Sequence, residues 1–218
     1  MVVGNVVVLA QRNVKRLLAY SSIVHGGYLL VAVAAGTPLG SAAFLFYAMT
    51  YTLATFGAFA VVSAMTRPGD HVSAIADYDG LWTTRPWLAI GFSVCLLSLL
   101  GFPVFGGAGF FAKWYVLQAA VTSPHNLVPL SVLLVITSVV SAGYYLHVVR
   151  VMFMRQRPEG AADPPPLAPF TRAVLVACVG LILVLGIFPN RLATWARTNA
   201  LVATPLAYKT APPAPGSP

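Results

Sequence analysis

The chain has 218 residues, of which 58% are hydrophobic and only 8% are charged. Soluble globular domains carry about a quarter charged residues, so this composition excludes that class and indicates a membrane protein. The net charge of +8 does not indicate nucleic-acid binding, because the basic residues lie at the ends of apolar segments and orient a protein in its membrane. Continuous apolar runs, rather than alternating ones, predict helices and not a β-barrel.

Four charge-free segments are each long enough to cross a bilayer once, since about 20 helical residues cover its hydrocarbon core. A fifth segment, 86–121, would form a helix of about 54 Å, nearly twice the core thickness. We therefore predict two half-helices there, joined by unwound backbone at Gly101, Pro103, Gly106 and Gly107. The four single spans are 17–35, 41–66, 127–149 and 173–188.

The distribution of basic residues predicts the orientation of these spans. If each segment crosses once, nine basic residues lie on one side of the membrane and three on the other. The side with nine is then cytoplasmic, the first full span starts there, and the C-terminus is extracytoplasmic. A hairpin in segment 86–121 would weaken the split to five against seven, so one broken crossing is preferred.

The remaining segments complete the domain organisation. Residues 1–190 are interpreted as one transmembrane bundle with a proline-rich linker at 157–170, and 191–218 as a disordered tail. The first ten residues are apolar but only half a span long, which is typical of the end of a helix whose beginning is missing. Cys95 and Cys178 lie inside apolar runs and are interpreted as small core residues.

Lys113 is the one charged residue that lies inside an apolar segment, six residues after Gly107. A lysine at mid-membrane costs a few kcal/mol, so it must face protein or water, and such residues mark proton pathways. The alternative is a lysine that extends to the membrane surface, which the apolar residues on both sides of Lys113 argue against.

Other polar residues recur at helical spacing and are interpreted as a hydrated path. Lys15, Ser22 and His25 lie within about 80° of arc on one helix, with His25 about 15 Å from Lys15 and near mid-membrane. Helix–helix hydrogen bonding is the ordinary explanation of such stripes, but Lys113 favours a proton path. The further stripes are Tyr47, Tyr51 and Thr55 in the second span and Thr137, Ser141 and Tyr144 in the fourth.

Two sequence runs carry a resemblance to a known family. The run NVKRLLAYSSI at 13–23, followed by His25, and the run GFFAKWYVL at 109–117, after GFP at 101–103, are the matching motifs. They resemble the antiporter-like membrane subunits of respiratory complex I and of Mrp-type cation/proton antiporters. Together with ADYDGL at 76–81, they are most similar to the subunit N branch of bacterial NADH-quinone oxidoreductases.

The resemblance implies an all-α fold, a polytopic transmembrane helix bundle with one discontinuous helix. The chain would supply the second inverted repeat of the antiporter-like fold, namely the end of helix 9 and helices 10–14. Lys113 would be the proton-carrying lysine, His25 the mid-membrane histidine and Lys15 the basic residue at the start of helix 10. The role of His147 stays open. The helical spacing described above, rather than the resemblance, predicts the supporting polar path of Ser22, Tyr51, Thr137, Ser141 and Tyr144.

The function implied is a proton-translocating subunit of NADH-quinone oxidoreductase in the bacterial inner membrane. The resemblance also implies that this chain carries out no redox chemistry and holds no cofactor. FMN, iron–sulfur clusters and quinone are expected in other subunits. The implied partners are other membrane subunits and the lipid bilayer, with protons as the only small substrate and no nucleic acid. The alternatives are an Mrp-type antiporter subunit, a membrane-bound hydrogenase subunit or an inactive truncated fragment.

The positions of the histidines argue against haem binding, and the acidic loop is not interpreted as a metal site. His25 lies about 12 Å and His147 about 3 to 4 Å from the same membrane side, so they are poorly placed to share one haem. The loop that contains Asp70, His71, Asp77 and Asp79 is interpreted as solvated rather than as a metal site.

Overall fold

The computed structural model describes residues 1–66, 74–103, 107–158, 166–191 and 194. Within these ranges the chain is a bundle of α-helices, of which α2, α3, α7 and α8 are long and apolar enough to cross a membrane. The predicted all-α membrane bundle is confirmed. In chain order the elements are α1 (Val2–Leu9), α2 (Val14–Ala34), α3 (Pro38–Met65), a 3-10 turn (Ile75–Tyr78), α4 (Leu81–Thr84), α5 (Pro86–Leu100), α6 (Ala108–Val121), α7 (Val128–Met154) and α8 (Pro169–Ile187).

The long helices extend beyond the charge-free runs in the sequence. Helix α2 begins at Val14 and contains Lys15 and Arg16, and α7 continues past Arg150 to Met154. Charged residues are compatible with helical turns that lie outside the hydrocarbon, so a charge-free run marks the hydrocarbon part of a helix and not its ends. Likewise α8 begins at Pro169, inside the linker predicted at 157–170, and residues 159–165 of that linker lie outside the described residues.

Segment 86–121 is a discontinuous helix, as predicted. Helix α5 ends at Leu100, and Gly101 follows with φ of +80°, a left-handed conformation that glycine adopts at low cost. Helix α6 begins after Gly107, so each half is about 21 to 23 Å long. Gly106 lies outside the described residues, whereas Pro103 and Gly107 flank the gap.

Hydrogen bonds place the connections at two opposite ends of the bundle. At one end, the N–H of Ile75 donates to the carbonyl of Arg12 and that of Gly80 donates to the carbonyl of Val151. At the other end, the Ser123 hydroxyl donates to the carbonyl of Ala35 over 2.9 Å. Helix α5 starts at the first end and α6 finishes at the second. Segment 86–121 therefore crosses the bundle once, as the charge count predicted.

Helix α3 lies at the centre of the bundle and contacts α2, α5, α6 and α8. Gly57 allows α5 and α8 to approach α3 closely, because a Cβ there would lie 2.5 Å from the Cys95 sulfur and 3.2 Å from the Cys178 Cβ. Both cysteines are free and buried, which agrees with their interpretation as small core residues. The packing around α3 brings α2, α6 and α7 together at mid-bundle, where the candidate site lies.

Helix α2 is capped by Asn13, whose side-chain oxygen accepts a hydrogen bond of 3.1 Å from the N–H of Arg16. We expect Asn13→Ala to lower the free energy of unfolding by about 1 kcal/mol, since it leaves an N–H at the helix start without its acceptor. Thermal unfolding of the purified membrane protein measures this. Asn13→Asp retains the acceptor and is the control; equal midpoints for the two variants would contradict the role of the cap.

Candidate functional site

The Lys113 side chain lies inside the bundle beside the helix break, with 8% of its surface exposed. Its Nζ donates one hydrogen bond to the backbone oxygen of Leu100 and another to the hydroxyl of Ser138, both 2.7 Å long. The Leu100 carbonyl is free to accept because α5 ends there, and the end of a helix is electronegative. The broken helix therefore supplies an acceptor for a buried cation.

The Tyr28 side chain contacts both Lys113 and α7. The Lys113 Nζ is 5.2 Å from the centre of this ring, within the range of a cation–π contact. The Tyr28 hydroxyl donates to the hydroxyl of Thr137 over 3.2 Å, and the Asn5 side-chain amide donates to the Thr137 backbone oxygen. These contacts connect the ammonium group to α1, α2 and α7.

His25 is buried and contacts tyrosines from three helices. Its Nδ1 is 2.7 Å from the hydroxyl of Tyr47 and its Nε2 is 3.1 Å from the hydroxyl of Tyr145. Its ring stacks on Tyr51 at 4.9 Å and meets Tyr28 edge-on at 5.7 Å. A neutral imidazole donates through one nitrogen and accepts through the other, whereas the cation donates through both. A change of protonation at His25 thus requires a tyrosine hydroxyl to reverse its hydrogen bond.

A cavity joins Lys113 and His25. The space open to the centre of a water molecule is about 10 Å³, which is room for roughly one water. Lys113, His25 and the hydroxyl-bearing residues around them give this space the polar partners that a buried water needs. The cavity is lined by His25, Tyr47, Thr50, Tyr51, Ala54, Ser98, Leu99, Gly109, Ala112 and Lys113.

The structure brings some predicted site residues to this cavity and leaves others apart. Lys113, His25 and Tyr51 line it. Lys15 lies in the first turn of α2, partly exposed and about 15 Å along the helix from His25. Ser22 is exposed, and its hydroxyl donates to Ala19 in the same helix.

The predicted stripe on α7 is buried but does not touch Lys113 directly. Thr137 accepts the hydrogen bond from Tyr28, whereas the Ser141 hydroxyl donates to the backbone oxygen of Ser138. The hydroxyl of Tyr144 has no hydrogen-bond partner among the described residues. The stripe therefore supports the site through Thr137, while Ser138, one residue outside it, makes the contact with Lys113.

Several residues of the site were not predicted. Ser138 lies about 100° around α7 from Thr137, so it belongs to none of the polar stripes. Tyr145 is adjacent to Tyr144 and lies on a different face of α7, yet its hydroxyl meets His25. Asn5 lies in the short α1, which no sequence argument connected to Lys113. The sequence signal that could have found Tyr28 and Tyr145 is the number of tyrosines in the apolar segments that could hydrogen-bond to a buried histidine.

Within the described ranges, no three His, Cys, Asp or Glu residues come close enough to bind a metal ion together. Asp70 and His71 of the candidate loop lie outside those ranges. Asp79 instead forms an ion pair with Arg155, with a distance of 3.6 Å between their nitrogen and oxygen atoms.

Residues 1–155 match the family described as NADH:quinone oxidoreductase/Mrp antiporter, TM. The chain belongs to this family. One curated relative is NADH-quinone oxidoreductase subunit N of Gemmatimonas aurantiaca, which is 48% identical over 212 residues. This match covers 97% of the chain and 41% of the relative. Subunit N 1 of Solibacter usitatus is 42% identical over 200 residues, covering 92% and 40%. The chain thus spans about two fifths of the length of these relatives.

Solved structures agree with this family assignment. A chain of respiratory complex I from Thermus thermophilus is 39% identical, with a TM-score of 0.72, and the match covers 88% of this chain and 42% of that chain. A chain of the Mrp complex from Dietzia has a TM-score of 0.81 at 19% identity, covering 94% and 46%. The second likeness concerns the fold alone. The inverted-repeat arrangement within the family stays a prediction.

Proposed function

We propose that this chain is part of a proton-translocating membrane subunit of an NADH-quinone oxidoreductase. Lys113, His25 and Lys15 relay protons, and quinone reduction elsewhere in the complex drives the transfer. The observation that carries the proposal is the buried Lys113 Nζ, which bonds to the carbonyl at the end of α5 and shares a cavity with His25. Buried intramembrane cations of this kind are costly and are typical of proton relays.

The contacts suggest an order for the relay. Between Lys113 and His25 lie the Tyr28 ring and a cavity with room for about one water molecule, which provides a route for proton exchange. The hydroxyls of Tyr47 and Tyr145 then allow His25 to take up or release a proton by reversing hydrogen bonds. Lys15 handles protons at the N-terminal end of α2, on the side with more basic residues, which we assign to the cytoplasm.

Membrane context and partners follow from the same proposal. The chain lies in the bacterial inner membrane beside other membrane subunits, and its role requires no cofactor of its own. Flavin, iron–sulfur clusters and quinone belong to other parts of the complex. The matching family includes both kinds of protein, but the 48% identity to a protein named subunit N, against 19% to the Mrp complex chain, favours this function over that of an Mrp-type antiporter.

His25→Gln tests the proposal in the assembled complex reconstituted into vesicles. Glutamine retains hydrogen-bonding capacity but cannot carry a proton, so we expect NADH-driven proton translocation to fall by about tenfold or more. A pH-sensitive dye inside the vesicles measures translocation, and NADH oxidation with a soluble acceptor measures the redox activity, which we expect to be unchanged.

The matched control is His147→Gln, because His147 lies exposed on α7 and is absent from the cavity lining. We expect this variant to translocate protons at the rate of the unmodified complex. Equal rates for the two variants would contradict a relay through His25. Uptake of sodium ions in place of protons would instead favour the antiporter alternative.

A further inference from the structure

Ser98, in the last turn of α5, has a hydroxyl with no explained role in the fold. The residue is 8% exposed, and within the described part of the chain its Oγ has no hydrogen-bond partner. Ser93, one and a half turns earlier on the same helix and equally buried, instead donates to the backbone oxygen of Ala89 over 2.8 Å. A buried hydroxyl without a partner is costly, so we expect the Ser98 Oγ to bind a partner that the described residues do not supply.

Ser98 lines two separate cavities. One is the cavity shared by Lys113 and His25. The other lies between the helix break and α8. The volume that the centre of a water molecule can occupy in it is also about 10 Å³. Each cavity therefore has room for roughly one water, and Ser98 is the residue common to both linings. The second cavity is lined by Val94, Leu97, Ser98, Phe102, Gly107, Ala108 and Ile182.

The backbone at this junction fits tightly. A Cβ on Gly109, at the start of α6, would overlap the carbonyl oxygen of Ser98, so the two half-helices touch there. The carbonyls of Leu97 and Ser98 accept from the N–H of Gly101, and that of Leu100 accepts from Lys113. The C-terminal end of a helix is electronegative, which favours a positive charge beside it. A protonated water next to Ser98 would benefit from the same field that stabilises the Lys113 ammonium.

We propose that the Ser98 hydroxyl binds a water molecule at the junction of the two cavities, and that Lys113 exchanges protons through this water. Ser98 is then a positioning residue for the relay, and the cavity beside α8 is the next station of the proton. This inference rests on the proposed function of Lys113 and identifies the route by which a proton leaves that residue.

The proton balance is simple. A lysine ammonium has three N–H donors, and two of them bond to Leu100 and Ser138. The third is available to the water in the cavity. Lys113 passes that proton to the water, which leaves as hydronium, and the lysine remains a neutral amine until another proton arrives. The Ser98 hydroxyl holds the water by accepting or donating one hydrogen bond.

The test compares three variants of the assembled complex in vesicles. Ser98→Ala removes the hydroxyl, Ser98→Thr retains one, and Ser93→Ala removes a hydroxyl that has a partner in its own helix. We expect Ser98→Ala to lower NADH-driven proton translocation by about tenfold and to raise its solvent deuterium isotope effect, because proton transfer becomes slower. We expect Ser98→Thr to retain at least about half of the rate and Ser93→Ala to be unchanged.

The thermal stability of the complex separates a structural effect from a proton-transfer effect. If Ser98→Ala loses translocation while the unfolding midpoint of the complex is unchanged, the water site is supported. Equal translocation by Ser98→Ala and Ser93→Ala overturns it. A Ser98→Thr variant as slow as Ser98→Ala also overturns it. If Lys113→Arg impairs translocation while Ser98→Ala does not, only this inference fails; if Lys113→Arg translocates normally, the proposed function itself fails.

Discussion

Lys113→Arg is expected to stop proton translocation through this subunit while the complex still assembles. Arginine retains the positive charge and can donate to the Leu100 carbonyl and the Ser138 hydroxyl, but its guanidinium does not release a proton. We expect NADH-driven translocation to fall by about a hundredfold, the loss typical of removing a positioned proton-transfer group. Dye measurements in reconstituted vesicles, normalised to the amount of assembled complex, determine the rate.

Lys113→Ala completes this comparison, because it removes both the charge and the hydrogen bonds. If Lys113 relays protons, the arginine and alanine variants translocate equally slowly. If the residue only supplies a structural cation, arginine preserves translocation and alanine does not, which would contradict the relay. The two substitutions therefore separate the proton-exchange role of the ammonium group from its electrostatic role.

Gly109→Ala is expected to destabilise the bundle more than any other glycine-to-alanine substitution in the described helices. Its Cβ would overlap the Ser98 carbonyl oxygen, and neither backbone can move without separating α5 from α6. We expect a loss of about 3 kcal/mol or more in the free energy of unfolding, at the upper end of the cost of overpacking. The yield of assembled complex and its thermal unfolding midpoint measure the loss.

Gly180→Ala in α8 is the matched control for Gly109→Ala. A Cβ on Gly180 would meet no atom within 4 Å, so the substitution removes only the backbone freedom of glycine. We expect it to leave stability unchanged or to raise it by about 0.5 to 1 kcal/mol. Equal unfolding midpoints for the two variants would show that the contact between α5 and α6 is not tight.

The helix break illustrates how far sequence reasoning reaches. A 36-residue apolar segment is too long for one crossing, and Gly101-Phe102-Pro103 marks where a helix is least stable, so the discontinuity was predictable from bilayer thickness and backbone preference. The structure adds that the freed Leu100 carbonyl accepts a hydrogen bond from Lys113. That pairing depends on the path of the chain between the half-helices, which periodicity does not encode.

The polar stripes were less informative than the break. Thr137, Ser141 and Tyr144 share one predicted face of α7, but Lys113 contacts Ser138 and His25 contacts Tyr145. Spacing along one helix specifies which residues share a face, but not which neighbouring helix that face meets or how the helices rotate against each other. Tyrosine and lysine side chains are also long enough to reach beyond the face on which they start.

By itself, the sequence determined that this protein is a helical membrane bundle, where it breaks a helix, and that Lys113 must be sheltered from lipid. Those features follow from composition, span length and the cost of a charge in hydrocarbon, all of which act locally along the chain. Only the tertiary structure decided that Tyr28, Tyr47 and Tyr145 surround His25, that Tyr28 also contacts Lys113, and that Ser98 lines two cavities. These contacts join residues far apart in sequence, and they depend on how the helices cross and rotate when they pack.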